Sequence, residues 1–137
     1  MLASQYLKNT GLELIPTGYI LVDGQNLTSV EYMSNTRPIP SEKSDIIMAT
    51  ALAGEQLGLK LIYLEAGSGA SKTVGSDIVS FVRENISIPL IVGGGIRTPE
   101  DVREIYRAGA NGVVVGTAIE KDFGMLGKLT AVKSEFN

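Results

Sequence analysis

Short, continuous apolar runs recur along the second half of the chain, and each one leads into glycine. The three clearest runs are LKLIYLEA (59–66), IPLIVGGG (88–95) and NGVVVGTAIE (111–120). Runs of this length that are rich in β-branched residues and lack strict alternation are typical of parallel strands covered on both faces. Nearer the start, LELIP (12–16) and GYILVDG (18–24) predict one further strand with a polar loop after it. The strands are therefore expected to begin near residues 12, 61, 88 and 112.

Helical patterns fill the intervals between these strands. Gly58 follows an apolar stretch, and Gly109 follows a second stretch whose apolar residues recur at helical spacing. Thr98 and Pro99 mark the start of this second helix, because threonine is a favoured N-cap and proline is tolerated at the first helical position. The predicted helices cover residues 2–9, 44–57, about 75–85, 99–108 and about 125–135, with inner stripes at Ile78, Phe81 and Val82 and at Val102, Ile105 and Tyr106.

Strand–helix units in succession predict a parallel α/β fold. Two architectures fit this order, a doubly wound sheet and part of a (β/α)₈ barrel. A complete barrel needs roughly 250 residues, whereas this chain has 137. We therefore expect a single domain over residues 1–137, with about four βα units that make up about half of a barrel.

The amino-acid composition excludes several kinds of site and ligand. The chain contains no cysteine and no histidine, so disulfides, thiol catalysis and the commonest transition-metal ligands are excluded, and a bound metal would be an oxygen-liganded ion such as Mg²⁺. The net charge of −3 and the absence of a basic run argue against nucleic-acid binding. No apolar run reaches the roughly 18 residues of a transmembrane helix. The N-terminus lacks a signal-peptide pattern, so we expect a cytoplasmic protein.

Glycine-rich loops follow three of the predicted strands: GSG (67–69), GGG (93–95) and Gly116 with Thr117. Ligands of parallel α/β proteins bind at these strand ends, and glycine lets backbone N–H groups approach an anion closely. A single such loop is more simply explained as a tight turn. Three successive loops, with AIEKDFG (118–124) able to form a short extra helix, favour a phosphate site.

Glu65 lies on a strand that is predicted to be buried. Because side chains alternate along a strand, Tyr63 and Glu65 share one face, while Leu64 faces the outer helices. A buried carboxylate is costly unless it is satisfied. It could pair with a cation such as Lys60 or Arg97, have a raised pKa, or accept hydrogen bonds from a polyhydroxyl ligand. Beside a phosphate loop, the last possibility suits a small sugar-like or glycerol-like phosphate.

Other charged residues carry weaker signals. Arg97 follows the GGG loop and could help to hold a phosphate, although a local salt bridge with Glu100 or Asp101 is about as plausible. Asp23, Glu31 and Arg37 lie in the loop after the first strand, where a lid or a solvated loop would fit equally. Lys121 and Asp122 are most simply surface charges.

Five segments together resemble the geranylgeranylglyceryl phosphate synthase family: IPTGYILVDG, VEYMSNTRPIP, YLEAGSGA, IVGGGIRTPE and GVVVGTAIE. The resemblance covers nearly the whole chain and corresponds to the C-terminal half of the modified (β/α)₈ TIM barrel of that family. It implies a prenyltransferase of ether membrane lipid biosynthesis. Such an enzyme attaches a geranylgeranyl group from its diphosphate to the 3-hydroxyl of sn-glycerol 1-phosphate.

The resemblance also implies the site residues. Tyr63 and Glu65 would be catalytic and take the glycerol hydroxyls, with Glu65 orienting the nucleophilic hydroxyl and accepting its proton. The glycine loops would hold the phosphate through their backbone. The implied sn-glycerol 1-phosphate residues are Tyr63, Leu64, Glu65, Ala66, Gly67, Ser68, Gly69, Gly93, Gly94, Gly95, Gly116 and Thr117.

The partners follow from the same resemblance. They are sn-glycerol 1-phosphate and a prenyl diphosphate, with a prenyl groove around residues 16–38, contact with a membrane surface and Mg²⁺ on the leaving diphosphate. The metal-binding aspartate of the family lies on the first barrel strands, and Met1 falls in what resembles the fourth helix. We therefore expect no metal ligand and little transferase activity in this chain alone. Two unpaired strand edges would favour a homo-oligomer.

Two alternatives stay open. Phosphate-binding barrels of the isomerase or lyase type share the GGGI and terminal glycine signals, but not YLEAGSG or GYILVDG. A non-catalytic half barrel that binds a phosphate ligand or dimerises would also carry the glycine loops.

Overall fold

The computed structural model describes residues 2–24 and 36–136. Four strands alternate with helices along this part of the chain. The elements are α1 (Leu2–Lys8), β1 (Thr17–Leu21), α2 (Ser44–Gln56), β2 (Leu61–Glu65), α3 (Ser76–Asn85), β3 (Leu90–Gly93), α4 (Pro99–Arg107), β4 (Gly112–Val114), α5 (Thr117–Lys121), α6 (Met125–Lys133) and a 3₁₀ turn (Ser134–Phe136). Glu31 and most of the segment VEYMSNTRPIP lie outside the described residues.

The strands form one parallel sheet in the order β1-β2-β3-β4. The order never reverses, so the sheet has no switch point and follows the barrel alternative rather than the doubly wound one. The register aligns the carboxyl ends of all four strands. One row across the sheet runs through Leu21, Glu65, Gly93 and Val114.

Helices α2, α3, α4 and α6 contribute side chains to the core on one face of this sheet. Ile62 and Leu64 on β2, and Leu90 and Val92 on β3, are fully buried within the single hydrophobic core. On the opposite face Tyr19 retains 48% exposure, and Val114 is also exposed. The expectation of strands covered on both faces is therefore wrong for the described residues. The described residues form two layers, a sheet and its helices, and the inner face of the sheet is exposed at Tyr19 and Val114 but buried at Leu21 and Glu65.

Three local predictions differ from the structure. Residues 12–16 are not strand, and Leu12 is 65% exposed. In α3 the buried stripe is Ile78, Val79 and Val82, whereas Phe81 points outward. The last strand ends at Val114 rather than continuing towards residue 120, because the chain turns into α5 after Gly116.

The start of α4 agrees with the prediction. Thr98 Oγ1 accepts a hydrogen bond from the Asp101 N–H at 3.2 Å, and Asp101 Oδ2 accepts one from the Thr98 N–H at 2.8 Å. This reciprocal capping box, with Pro99 at the first helical position, fixes where the loop after β3 ends and the helix begins.

The outer edge of β1 is partly covered. The Asp23 N–H donates to the Ile39 carbonyl at 2.9 Å, and the Ile39 N–H donates to the Leu21 carbonyl at 2.8 Å. The expectation of an unpaired edge on this side is therefore wrong at the carboxyl end of the strand, where a returning segment adds one bridge.

Candidate active site at the carboxyl ends of the strands

A cavity of about 530 Å³ lies at the carboxyl ends of the strands. Three of the βα loops and the inner face of the sheet form its walls. Glu65 and Tyr63 come from β2, Gly94 from the loop after β3, and Gly116 from the loop after β4. The topology therefore brings together loops that are far apart in sequence, as expected for this fold.

Glu65 lies on one wall of the cavity, and it is the one charged residue among the described buried side chains, at 6% exposure. Its Oε1 accepts a hydrogen bond from the Gly67 N–H at 2.8 Å, and its Oε2 accepts one from the Tyr63 hydroxyl. In the described part of the chain, Glu65 makes no salt bridge with Lys60 or Arg97. An ionised carboxylate has about four lone-pair sites, so these two donors leave capacity for a ligand hydroxyl.

Tyr63 connects this carboxylate to the neighbouring strand. Its ring packs edge-on against the ring of Tyr19, with 5.1 Å between the ring centres. Burial, followed by the hydrogen bond to Glu65 and the charge of Glu65, raises the pKa of Tyr63 far above its ordinary value. Burial and the Glu65 charge also raise the pKa of Tyr19. Both phenols therefore stay protonated at neutral pH, where Tyr63 acts as a hydrogen-bond donor and not as a base.

Gly93 and Gly94 provide the space that the Tyr63–Glu65 pair occupies. A Cβ atom at Gly93 would lie 2.7 Å from Glu65 Oε2 and would also clash with the Tyr63 hydroxyl. A Cβ atom at Gly94, where φ is +82°, would lie 2.6 Å from Glu65 Oε1 and 2.7 Å from the Gly67 nitrogen. These distances are all below 3.0 Å, so a side chain at either position would force the acidic pair or the neighbouring backbone to shift.

Gly69 and Gly116 have the opposite environment. A Cβ atom at either position would meet nothing within 4 Å, and both residues line the cavity. Their backbone therefore borders open space, which a ligand could occupy. Gly93 thus packs against the acidic pair, whereas Gly69 and Gly116 face the cavity with free space beside them.

The structure brings most of the predicted site residues to one place. Tyr63, Glu65, Ser68, Gly69, Gly94, Gly95, Gly116 and Thr117 line the cavity. Four others do not: Leu64, Ala66, Gly67 and Gly93. Leu64 is fully buried on the opposite face of the sheet, so its side chain cannot reach a ligand there. Gly67 and Gly93 contact Glu65 instead, the first through its N–H and the second by leaving space for the carboxylate.

Several residues that line this cavity received no specific site role from sequence reasoning, among them Tyr19, Lys121 and Met125. Tyr19 could have been found from the register, because it is the partner of Tyr63 on the adjacent parallel strand. Lys121 could have been found from helical spacing, since it lies four residues after Thr117 on α5. Arg97 also lines the cavity, in agreement with its place after the GGG loop.

The described residues offer no evident metal site. Among residues 2–24 and 36–136, no group of three or more aspartate, glutamate, histidine or cysteine side chains comes together. These residues therefore show no acidic cluster that by itself would hold Mg²⁺, an ion that prefers oxygen ligands. None of the helices in the same ranges has the length and hydropathy that a membrane span requires.

Comparison with known proteins places this architecture in a family. The sequence profile described as the PcrB family matches residues 2–134. The chain belongs to the PcrB family.

Relatives with curated names are similar over most or all of the chain. Geranylgeranylglyceryl phosphate synthase from Spirosoma linguale is 47% identical over 137 residues, which is 100% of this chain and 55% of the relative. The enzyme of the same name from Chitinophaga pinensis is 49% identical over 126 residues, 92% of this chain and 50% of the relative. The chain thus spans about half the length of the relatives that it matches.

A solved structure from the same family supports the barrel assignment. (S)-3-O-geranylgeranylglyceryl phosphate synthase from Thermoplasma acidophilum, in complex with its substrate sn-glycerol-1-phosphate, superposes with a TM-score of 0.89 at 33% identity. The match covers 96% of this chain and 53% of that chain. The four strands and their helices therefore correspond to about half of a family TIM barrel, as the sequence predicted.

Proposed function

We propose that this chain binds sn-glycerol 1-phosphate in the cavity and presents its 3-hydroxyl for prenyl transfer, as the glycerol-phosphate half of a geranylgeranylglyceryl phosphate synthase site. One observation carries the proposal. A buried carboxylate, Glu65, lines a cavity that also borders two open glycine backbones, Gly69 and Gly116. The arrangement offers a hydroxyl acceptor and an anion site in one cavity.

The wall of the cavity that Glu65 and Tyr63 form is suited to bind the glycerol hydroxyls. Glu65 already accepts from the Gly67 N–H and the Tyr63 hydroxyl, which orient it towards the inner face of the sheet. Its remaining lone pairs would accept hydrogen bonds from the ligand. The Tyr63 hydroxyl oxygen can accept one more. This wall therefore distinguishes a polyol phosphate from inorganic phosphate.

The glycine loops and two cations suit the phosphate. Gly69 and Gly116 let backbone groups approach an anion without steric hindrance. Arg97 and Lys121 line the same cavity and supply the positive charge there. Because Glu65 is the acidic residue among the lining side chains, the cavity has a carboxylate that receives hydroxyls and cations that balance the phosphate charge.

The chemical step would then be a displacement at the prenyl carbon. The glycerol 3-oxygen forms a bond to that carbon while the bond to the diphosphate oxygen breaks, and the diphosphate leaves with the electron pair. Glu65 takes the proton of the 3-hydroxyl as the ether bond forms. Tyr63 holds the carboxylate in place and is not itself the base, because its pKa is strongly raised by burial and by Glu65.

The remaining partners rest on family membership. The prenyl diphosphate and Mg²⁺ stay predictions from the resemblance, since the described residues assemble no acidic cluster for a metal. A homo-oligomer stays a prediction as well, supported by the exposed Tyr19 and Val114 on the open face of the sheet. Sedimentation velocity of the purified chain tests this prediction, and a monomer at all concentrations would contradict it.

Calorimetric titration with sn-glycerol 1-phosphate tests the proposal, with the 3-phosphate enantiomer and inorganic phosphate as comparison ligands. We expect preference for the 1-phosphate over both. Glu65→Gln should remove most of this preference, because it replaces an acceptor oxygen with a donor NH₂ group of the same size. Glu104→Gln is the matched control, since Glu104 is an exposed glutamate on the outer surface of α4.

The outcomes separate the candidate functions. Equal and weak binding of all three ligands would contradict the proposal and leave only a generic anion site. Preference for the 1-phosphate that survives in Glu65→Gln would also contradict it, because Glu65 would then have no part in recognition. Loss of the preference in Glu104→Gln would show that the effect is not specific to the cavity.

A further inference from the structure

Arg97 joins the two glycine loops that border the cavity. Its Nη2 donates a hydrogen bond to the Ala70 carbonyl oxygen at 2.8 Å, across 27 residues of sequence. Ala70 is fully buried, whereas Ser68 and Gly69 just before it are exposed. The arginine therefore anchors one end of a loop whose middle borders the cavity.

The main chain of Arg97 is itself fixed by the capping box of α4. The Arg97 N–H and the Thr98 N–H both donate to Asp101 Oδ2 at 2.8 Å. A bifurcated contact of this kind leaves little freedom at the base of the arginine side chain. The contacts consequently link the first turn of α4 to the loop that contains Ala70. The guanidinium group of Arg97 joins the two by donating to the Ala70 carbonyl.

The same loop is tied at its other end by the acidic pair. The Gly67 N–H donates to Glu65 Oε1 at 2.8 Å, and the Ala70 N–H closes a turn onto the Gly67 carbonyl at 3.1 Å. The cavity-lining residues Ser68 and Gly69 lie between these two ties. If the tie at Ala70 is lost, the turn keeps its tie at Gly67, and the next side-chain tie along the chain is the hydrogen bond from Ser71 Oγ to the Gly24 carbonyl at 3.1 Å. The Ala70 carbonyl is then no longer held, and the backbone before it can rotate away from the cavity.

We propose that Arg97 is a positioning residue for ligand binding, which holds the 67–70 loop in its binding conformation through the Ala70 carbonyl. The identity of the ligand rests on the proposed function, whereas the ordering of the loop does not. Arginine suits this role better than lysine, because its planar guanidinium is pre-organised and can donate to the carbonyl while other N–H groups remain directed at the cavity.

The test compares Arg97→Met, Arg97→Lys and the control Arg103→Met. Arg103 lies on α4, shortly after Arg97 in the chain, and pairs with Glu100 and Glu135 on the outer surface, so its removal changes the net charge equally without touching the cavity. Hydrogen exchange of the amides at 68–71 is measured without ligand. Affinity for sn-glycerol 1-phosphate is measured by calorimetry, and the melting temperature is measured for each variant.

We expect Arg97→Met to speed exchange at 68–71 about tenfold and to weaken binding about tenfold, roughly the loss of one hydrogen bond to a charged group. Exchange at the β2 amides should keep its wild-type rate. Arg97→Lys should retain part of the protection and part of the affinity. Arg103→Met should lower the melting temperature only. If Arg97→Met does not fold, Arg97→Lys is compared with the wild type and with Arg103→Met in the same measurements.

Two results would overturn the proposal. Exchange at 68–71 that is unchanged in the Arg97 variants would mean that the loop is ordered without the arginine, even if affinity falls through loss of charge. Equal effects in Arg103→Met would mean that net charge or global stability is responsible. If the wild type does not bind sn-glycerol 1-phosphate, the proposed function fails, and the exchange data still decide whether Arg97 orders the loop.

Discussion

Glu65 and Gly93 are register partners on adjacent parallel strands, and the carboxylate of the first occupies the space where a side chain of the second would lie. A strand residue without a side chain is unfavourable in general, because glycine loses more conformational freedom on folding than other residues. Here it lets a carboxylate and the Tyr63 hydroxyl meet at the end of the sheet. The site is thus encoded in pairs of residues on different strands.

Gly93→Ala should disrupt this arrangement. The added methyl group would overlap the Tyr63 hydroxyl and lie 2.7 Å from Glu65 Oε2. We expect a loss of about 1–3 kcal/mol in the free energy of unfolding, the usual cost of overpacking, together with loss of sn-glycerol 1-phosphate binding. Chemical denaturation and calorimetry measure the two effects. Gly127→Ala is the control, because a Cβ there meets nothing within 4 Å on an exposed helix. A Gly93→Ala protein of wild-type stability and affinity would refute the packing argument.

Gly116→Ala should affect binding without affecting folding. A Cβ at this position meets no atom within 4 Å and φ is −114°, so the fold tolerates it. The methyl group would enter the cavity where the phosphate is proposed to sit. We expect the melting temperature to stay near the wild-type value while affinity for sn-glycerol 1-phosphate falls about tenfold, or ~1.4 kcal/mol. Unchanged affinity would place the ligand elsewhere.

Glu65→Gln should lower the pKa values of Tyr19 and Tyr63. The negative charge of Glu65 contributes to raising both, after burial, which remains in the variant. An ordinary tyrosine ionises near the reference value of 10.0. Since the folded-state values are raised, these phenols contribute stability that is present below about pH 10 and is lost as the pH rises further. Ultraviolet phenolate absorbance during alkaline titration should shift to lower pH in Glu65→Gln and not in Glu104→Gln.

Glu55 should contribute to acid sensitivity. Its carboxylate accepts hydrogen bonds from the Ser87 hydroxyl and from the Ser87 N–H at 3.1 Å, and these contacts lower its pKa below the ordinary 4.5. A lowered folded-state pKa gives stability that is present above about pH 4.5 and is lost as the pH falls through the folded value. In Glu55→Gln, the free energy of unfolding should therefore fall less steeply than in the wild type as the pH is lowered through the acidic range. An acid limb identical to the wild type would show that the contact contributes nothing in solution.

The parts of the fold that local signals determine could be predicted from sequence. Thr98, Pro99 and Asp101 specify a helix start by themselves, and the structure places the cap there. The prediction of a strand at residues 12–16 was wrong, because an alternating apolar pattern forms a strand only where a partner strand is available for pairing. The Lys60 N–H pairs with the Pro16 carbonyl, and the ladder begins only at Thr17 opposite Leu61. The loop between α2 and β2 sets the point where this ladder begins. The local sequence pattern of residues 12–16 carries no information about that loop.

The candidate site, like the fold, could be predicted from the sequence only in part. Glu65 and its shared face with Tyr63 follow from strand alternation, and the glycine loops follow from their position after strands. The distinction between Gly93, which packs against the acidic pair, and Gly116, which faces the cavity, depends on distances across the sheet. Tyr19 likewise joins the site through the register between β1 and β2. Sequence locates the loops, whereas the contacts between strands decide what each residue does.

The carboxylate of Asp101 begins a helix and at the same moment fixes the residue that reaches the neighbouring loop. On this side of the molecule, one carboxylate therefore serves both the first turn of α4 and the main chain of the arginine that reaches the 67–70 loop. An intermediate in which α4 has frayed at its first turn would also have a loosened ligand loop, even with the sheet intact. Local opening of one helix end, which costs far less than global unfolding, would therefore be enough to release a ligand.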